Sequence, residues 1–271
     1  MGIVERLVSN GLWEIFQNVA PGPPVRAQGG GRQRCDDRAV LAAIIFVATS
    51  GCTWRQLPPA FGASWQTVHR RFTDWSRARV WAKLHRVVLD RLGANGELDW
   101  SRCADDSISI RAVKGGPLTR PNPTDRGKLG SKIHVICDRN GLPLSIGISG
   151  ANLHDSQALV PMMLGIPPIR SRRGPRRHRP AKLHADKAYD FDHLRSWLRR
   201  RQIVPRIARR GVEVSDRLGR HRWVVERTMS WLNGCRRLHR RYERKAEHFL
   251  AFVGIASTLI CFRRSTNADQ F

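Results

Sequence analysis

Three short segments decide the fold of this chain: CADDSISIRA (103–112), KIHVICD (132–138) and LSIGIS (144–149). They are rich in Ile and Val, and the turn residues DRNG (138–141) separate the last two. Short apolar runs divided by turn residues are typical of β-strands. We therefore predict three consecutive strands, paired antiparallel, at the start of a sheet.

Helix and strand patterns alternate after the third strand. They predict a helix over 156–164, a strand over 182–185, a helix over 191–201, a strand over 202–207 and a helix over 220–237. The order βββαβαβα predicts an α/β sheet with helices on its faces, and it is the strand order of the RNase-H-like fold. A last helix, 248–264, is apolar nearly all round, so we expect it to be buried.

The chain before residue 97 has a different pattern and contains no predicted strand. Apolar residues recur at helical spacing over 4–19, 40–49, 65–75 and 81–92. A Pro/Gly-rich link at 21–31 separates the first two helices. We predict an all-helical domain over 1–96 and an α/β domain with C-terminal helices over 97–271.

The third predicted helix carries residues suited to DNA contact. Gln66, Thr67, Arg70 and Arg71 follow Ser64, which is well placed to cap the helix. Two short helices joined by a tight Pro/Gly turn, with such residues on the second, are typical of a helix-turn-helix motif. The alternative is a helical bundle with a solvated basic face.

The chain is strongly basic. It contains 48 Lys and Arg against 22 Asp and Glu, a formal net charge of +26, and its 41% of hydrophobic residues suffices for a core. A folded protein with this excess of positive charge indicates a polyanionic partner, nucleic acid first and an anionic membrane second. The expected partner is DNA or RNA.

The spacing of the cysteines and the length of the apolar runs indicate in which cellular compartment the protein is found. The six cysteines form no CxxC pair and no zinc-type cluster, which indicates buried thiols in a reducing compartment. The longest apolar runs fall short of the roughly 20 residues of a membrane span, and no export signal is evident. We expect a cytoplasmic protein that does not enter a membrane.

Three carboxylates fall where an α/β sheet gathers its functional groups. Asp106 shares its parity with the isoleucines of the first strand, and a carboxylate on that apolar face is costly unless a cation compensates it. Asp186 follows the fourth strand, and Glu226 lies in the helix after the fifth. A helix cap at Asp186 and an exposed Glu226 paired with Arg222 are the structural alternatives. Asp105 has the opposite parity and is expected to be solvated.

Five further segments occur in a specific order along the chain. They are ADDSISIRAVKGG (104–116), NPTDRGKLGSKIHVICDRNGLPL (122–144), ANLHDSQAL (151–159), HADKAYDFD (184–192) and RHRWVVERTMSWL (220–232). Together they resemble the DDE transposases of bacterial insertion sequences, of the insertion sequence five (IS-five) type. The stretch 51–76 resembles the N-terminal helical region of that family, so the resemblance covers essentially the whole chain.

The resemblance implies a role for the three carboxylates. The catalytic triad of the family falls on Asp106, Asp186 and Glu226. These residues would hold two Mg²⁺ ions, or Mn²⁺ in their place, with Asp106 bridging the two ions. The enzyme would bind double-stranded DNA as a homo-oligomer, cut the ends of an insertion sequence and join the freed 3′-hydroxyls to target DNA.

The sequence departs from the family pattern around the last carboxylate. Related transposases carry a Tyr and a Lys at the positions that are Gly219 and Asn233 here, whereas Arg222 matches. Because the Tyr and Lys help to hold DNA, that role would pass to neighbouring basic residues, with Arg220, Arg236 and Arg237 as candidates.

A second basic segment lies on the connection that leads to Asp186. Its candidates for phosphate contact are Arg172, Arg173, Arg176 and Arg177. The glycine and prolines in the same run predict a flexible loop. A solvated loop without DNA contact is the alternative.

Two other functions stay open at this point. One is a non-catalytic DNA-binding protein derived from a transposase, and the other is a different RNase-H-like nuclease, such as a junction resolvase. The intact triad argues against the first, and the helical N-terminal domain argues against the second.

Overall fold

The N-terminal part of the chain is helical, as predicted. The computed structural model describes residues 2–22, 34–209, 211 and 215–268, with side chains except at 215–222 and 266–268. The first helices are α1 Ile3–Leu7, α2 Asn10–Gln17, α3 Asp37–Ser50, α4 Trp65–Arg77 and α5 Val80–Asn95. The helix predicted over 4–19 is divided because Ser9 has an extended backbone and caps α2 by accepting a hydrogen bond from the Leu12 N–H. The link at 21–31 lies almost wholly outside the described residues.

The connection between α3 and α4 is longer than a helix-turn-helix motif allows. It occupies all of 51–64 and contains two 3₁₀ turns, Trp54–Gln56 and Pro59–Phe61. Phe61 is buried, so the segment packs on the core instead of reversing the chain directly. The expected tight turn is therefore wrong. The predicted cap of α4 is confirmed, because Ser64 accepts a hydrogen bond from the Thr67 N–H.

The five predicted strands are present in the sheet, together with one short additional strand. They are β1 Cys103–Arg111, β2 Arg120–Pro121, β3 Leu129–Asp138, β4 Pro143–Gly150, β5 Lys182–Ala185 and β6 Val204–Ile207. The main strands follow the order β4-β3-β1-β5-β6. β1, β3 and β4 pair antiparallel, whereas β1, β5 and β6 run parallel to one another. The sequence pattern does not predict β2, which pairs with the start of β3.

Helices cover both faces of the sheet. They are α6 Ser156–Leu164, α7 Asp192–Arg200, α8 Ser215–Asn233 and α9 Ala246–Ala268. On one face Thr228 of α8 hydrogen-bonds the thiol of Cys137, which lies opposite Ala104 of β1. On the other face Met162 of α6 packs on Gly147 of β4. Successive residues of β1 therefore point alternately toward α8 and toward α6.

Helix α9 connects the sheet with the N-terminal helices. It packs against α5 and β4, and its Phe252 ring stacks on Phe72 of α4 with the centroids 4.7 Å apart. The buried apolar residues form one continuous cluster that includes both halves of the chain. The helical half therefore shares its core with the sheet.

The length of α9 corrects the expectation that every apolar run is too short to span a membrane. Its stretch Ala246–Ser265 is long and apolar enough to cross a membrane, so the length of the apolar run alone does not exclude a span. However, 72% of the most apolar window in that stretch is buried inside the protein. This burial is typical of a core helix, which is what the nearly uniform apolar surface predicts.

Candidate active site

Asp106 lies on β1, and Asp186 directly follows the adjacent parallel strand β5. Ala104 of β1 is paired with His184 of β5, and each aspartate comes two residues later. Because Asp106 shares the parity of Ala104, it faces α8. Its side chain is half-buried there. Continued by two residues, the pairing of Ala104 with His184 brings the two predicted carboxylates to neighbouring positions.

Asp186 directly follows β5 and caps the 3₁₀ turn Lys187–Tyr189. Its backbone is extended, and its Oδ1 accepts a hydrogen bond of 2.8 Å from the Ala188 N–H. The capping alternative is therefore present in the structure. This bond also fixes the orientation of the carboxylate beside Asp106, so a cap and a functional role are compatible.

Glu226 lies on α8, the helix that covers the Asp106 face of the sheet. Val225 and Met229 are buried and anchor α8 on the core, whereas Glu226 is exposed. The expected ion-pair partner, Arg222, is in the part of α8 whose side chains lie outside the described residues. Helix α8 thus brings a third carboxylate to the same side of the sheet.

Asp105 is not the solvated residue that strand alternation predicts. The residue is 2% exposed, and neither of its carboxylate oxygens has a hydrogen-bond partner among the described residues. The physical reason is that α6 covers the second face of the sheet, so alternation along β1 does not lead to solvent. Burial raises the pKa of Asp105 well above its usual value, and the charges of Asp106, Asp155 and Asp186 raise it further.

Two further residues complete this acidic region. Asp155 precedes α6 without capping it, and its Oδ1 accepts hydrogen bonds of 2.8 Å from Lys132 Nζ and 2.7 Å from Ser107 Oγ. The buried Tyr189 hydroxyl has no hydrogen-bond partner in the described part of the chain. Burial raises the pKa of Tyr189, and the charges of four aspartates raise it further. Those aspartates are Asp105, Asp106, Asp155 and Asp186.

The donor set of this region suits a hard divalent cation. Carboxylate oxygens are the ligands that Mg²⁺ and Mn²⁺ prefer, and a bound cation would relieve the repulsion among crowded aspartates. Within the described ranges, no group of three or more His, Cys, Asp or Glu side chains is arranged to hold a metal ion. The triad is therefore brought to one face of the sheet but is not closed into a metal cage.

Part of the predicted DNA-contact set is accessible. Gln66 and Arg70, one turn apart on α4, are exposed, and so is Arg236. Thr67 is half-buried, and its hydroxyl accepts a hydrogen bond from the Ser64 hydroxyl at 3.1 Å. Gln66 and Arg70 thus form the accessible part of the predicted recognition helix.

Two arginines predicted to contact DNA are instead buried in ion pairs. Arg71 pairs with Asp37 of α3. Arg237 pairs with Glu243 at 2.8 Å and donates a hydrogen bond to the Cys52 carbonyl oxygen. Both guanidinium groups are therefore used inside the protein, and DNA contact by these two residues stays a prediction.

The arginine-rich loop is anchored, contrary to the prediction of a flexible segment. Ile169 and Arg177 form an antiparallel bridge across it, and Arg176 pairs with Asp90 of α5 at 2.8 Å. A Cβ at Gly93 would collide with the loop backbone, so the glycine permits this close approach to α5. A backbone bridge within the loop and contacts with α5 therefore hold the loop in place.

The loop still presents arginines to solvent. Arg172 and Arg173 are exposed at its tip. Arg177 is also exposed, and its guanidinium lies over the Trp100 ring, 5.7 Å from the centroid. A fixed base with an exposed basic tip is compatible with phosphate contact.

Two protein-family models match the chain. The model described as "Putative transposase of IS4/5 family" matches residues 8–85, and the model described as "Transposase DDE domain" matches residues 103–261. The chain belongs to the DDE transposase family. The second match covers more than half of the chain and includes Asp106, Asp186 and Glu226.

Individual proteins are similar to this transposase. The Burkholderia cepacia protein named "Putative transposase for insertion sequence element IS402" is 47% identical over 156 residues, 58% of this chain and 74% of that protein. A second Burkholderia cepacia protein, "Insertion element IS402 uncharacterized 16.2 kDa protein", is 41% identical over 43% of this chain and 81% of its own length. Among solved structures, the Mos1 strand transfer complex has a TM-score of 0.33 and 12% identity, covering 89% of this chain and 81% of that chain.

Family membership confirms the predicted class of enzyme. The chain is a DDE transposase of the insertion-sequence type, an enzyme of DNA transposition that cleaves and transfers DNA strands with a divalent metal. Its substrate is DNA, one of the polyanions that the net charge of +26 indicates.

Proposed function

We propose that Asp106, Asp186 and Glu226 are the catalytic, metal-binding carboxylates of this transposase, acting with two Mg²⁺ ions that Mn²⁺ can replace. The main support is the position of Asp106 beside Asp186, on the sheet face covered by the helix that carries Glu226. When bound, the ions would stabilise charge on the attacking and leaving oxygens of a phosphodiester. The enzyme cuts the ends of its insertion sequence and joins the 3′-hydroxyls to target DNA.

The surrounding residues orient these carboxylates. The Ala188 N–H holds Asp186 by its hydrogen bond. Lys132 and Ser107 hold Asp155 on the α6 side of the sheet, so the charge of Asp155 is balanced away from the metal ligands. In this proposal Asp106, Asp186 and Glu226 act as metal ligands and not as proton shuttles.

We further propose that the two halves of the chain have different functions. The strand order β4-β3-β1-β5-β6 supports an RNase-H-like catalytic core within 97–271. The exposed residues Gln66 and Arg70 support recognition of the element ends by a domain over 1–96. The transposase acts as a homo-oligomer on double-stranded DNA, in the cytoplasm at the bacterial nucleoid. The burial of α9 supports the proposal that it does not enter a membrane.

Metal removal tests the proposed chemistry. The protein stripped of metal by a chelator is expected to bind a labelled fragment of the flanking inverted repeat, the short repeated sequence expected at each end of the element, without cutting it. Added Mg²⁺ or Mn²⁺ should restore release of the 3′ end, because charge stabilisation on the reacting oxygens depends on the ions. Cleavage that persists in excess chelator would contradict the proposal.

The tip of the arginine loop is expected to contribute to DNA affinity. Replacing Arg172 and Arg173 by Ala should flatten the plot of log affinity against log salt by up to roughly 0.9 per lost phosphate contact. Arg176→Ala is the comparison, because Arg176 pairs with Asp90 and should change the slope less. The slopes are measured by titration at several salt concentrations. Equal slopes for the wild type and the tip variant would show that the loop is solvated and does not contact DNA.

Changes on α4 should separate recognition from cutting. Gln66→Ala combined with Arg70→Ala is expected to remove the preference for element ends, while metal-dependent nicking of generic DNA remains measurable. Asp74→Asn, an exposed change on the same helix, controls for folding. End preference retained in a footprint of the double variant would move recognition to another part of the protein.

A further inference from the structure

A basic cavity lies at the beginning of the parallel strands. Its volume is about 450 Å³, and its lining consists of Ser101, Arg102, Arg139, Lys182, His184 and Arg206. All six residues belong to the described part of the chain, and none of them is acidic. None of them belongs to the DNA-contact residues considered above.

The cavity residues on the strands share the face of the proposed catalytic carboxylates. His184 lies opposite Ala104 of β1, and Arg206 of β6 lies opposite His184. Paired residues of neighbouring strands point to the same face, and Ala104 shares its parity with Asp106. Lys182 has the same parity as His184, so a row of basic side chains crosses β5 and β6 on the α8 side of the sheet.

The strand geometry sets the distance from this row to the carboxylates. His184 and Lys182 precede Asp186 by two and four residues. At a rise of about 3.3 Å per residue, these intervals correspond to roughly 7 and 13 Å. Each strand of DNA carries one phosphate per roughly 3.4 Å of helix axis. A phosphate in the cavity would therefore lie about two to four nucleotides from a phosphate at Asp186.

The residues that line the cavity include four Lys or Arg side chains besides Ser101 and His184, and none with a carboxylate. Lys182 and Arg206 are exposed among them. Arg139 forms an ion pair with Asp99 just outside it, at 3.3 Å. Like charges in a concave site repel one another and concentrate anions from solution, so the cluster favours a bound polyanion.

We propose that this cavity binds a phosphodiester of the DNA strand that enters the carboxylate site, about two to four nucleotides from the reacting phosphate. The inference rests on the proposed function, because the distance of two to four nucleotides is counted from the proposed catalytic carboxylates. Lys182 and Arg206 are exposed in the cavity and make the contact by charge. The cavity thereby sets which bond of the strand reaches Asp106 and Asp186.

Phosphate interference on the full-length protein tests the proposal. A labelled fragment of the flanking inverted repeat is ethylated at single phosphates, and the bound and free fractions are compared for the wild type and for Lys182→Ala/Arg206→Ala. In the wild type, ethylation two to four nucleotides from the cleaved bond should weaken binding. In the variant that sensitivity should disappear, and affinity for unmodified DNA should fall roughly tenfold to a hundredfold at moderate salt.

Lys83→Ala/Arg86→Ala is the matched control, because it removes the same two charge types from exposed positions on α5. Unchanged interference in the cavity variant, or an equal affinity loss in the control, would overturn the proposal. A third result would also overturn it: millimolar inorganic phosphate stabilises only proteins with an intact cavity, while ethylation near the cleaved bond leaves DNA binding unchanged. That result would indicate a site for small anions. Failure of the proposed function can be told apart from failure of this inference. In the first case the wild type would not cut the fragment, but the phosphates that it contacts could still be mapped by interference.

Discussion

Asp106→Asn is expected to abolish DNA cleavage while DNA binding survives. Asn keeps the size and shape of Asp but removes the charge that would hold a divalent ion beside Asp186. The loss of a metal ligand from a two-metal site removes charge stabilisation of several kcal/mol, a rate decrease of about a thousandfold or more. The measurement is release of the 3′ end from a labelled terminal fragment in Mg²⁺, at equal bound fraction of DNA.

Two matched variants make this result specific to the proposed triad. Glu226→Gln should lose cleavage to a similar degree, because it also removes a ligand charge. Asp105→Asn should cut nearly normally, since Asp105 faces α6 and its raised pKa makes the neutral amide a close substitute for its buried carboxyl. Near-normal cleavage by Glu226→Gln, or an inactive Asp105→Asn beside an active Asp106→Asn, would overturn the assignment.

The sheet could be predicted because its strands carry their own local signals. Short runs rich in Ile and Val and the turn at 138–141 locate β1, β3 and β4 to within a few residues. The strand β2 has two residues and pairs through only two positions, so no periodic pattern reveals it. The long connection 51–64 was harder because its turns are set by packing of Phe61 and not by the Pro-Pro step alone.

The site was only partly predictable, since one strand does not show what covers it. Strand alternation correctly puts Asp106 and Asp105 on opposite faces of the sheet. It wrongly predicts that the face of Asp105 is exposed to solvent. The burial of Asp105 depends on α6, and Asp155 finds its partner Lys132 on another strand, 23 residues away. Such contacts depend on tertiary structure, and alternation within β1 carries no information about them.

The arginines show a similar limit, although one local signal was available. Arg71 lies between Val68 and Phe72 on the buried face of α4, so the helical period already places it near the core. Arg237 has no such signal, because it sits in a short 3₁₀ turn next to the exposed Arg236. Only the fold shows that these neighbouring arginines have different surroundings, one exposed and one buried.

Arg237→Ala is expected to destabilise the fold strongly. The two side chains of the Arg237–Glu243 pair are 6% and 4% exposed, and Arg237 also donates a hydrogen bond to the Cys52 carbonyl oxygen. Removing one partner of a buried pair leaves an uncompensated charge, which costs about 3–5 kcal/mol. In a chain of this size the midpoint of thermal unfolding should fall on the order of 10 °C. Any loss of DNA binding by this variant would follow from unfolding.

Arg236→Ala and a paired replacement separate these causes. Arg236 is exposed, so its change should leave the unfolding midpoint nearly unchanged while it reduces the salt dependence of DNA binding. Replacing both members of the pair, Arg237→Met with Glu243→Leu, should recover much of the lost stability, because no buried charge remains unpaired. If Arg237→Ala kept the wild-type midpoint but lost DNA affinity at low salt, Arg237 would contact DNA directly. The opposite result assigns Arg237 to the junction where the turn after α8 meets Cys52 of the N-terminal half.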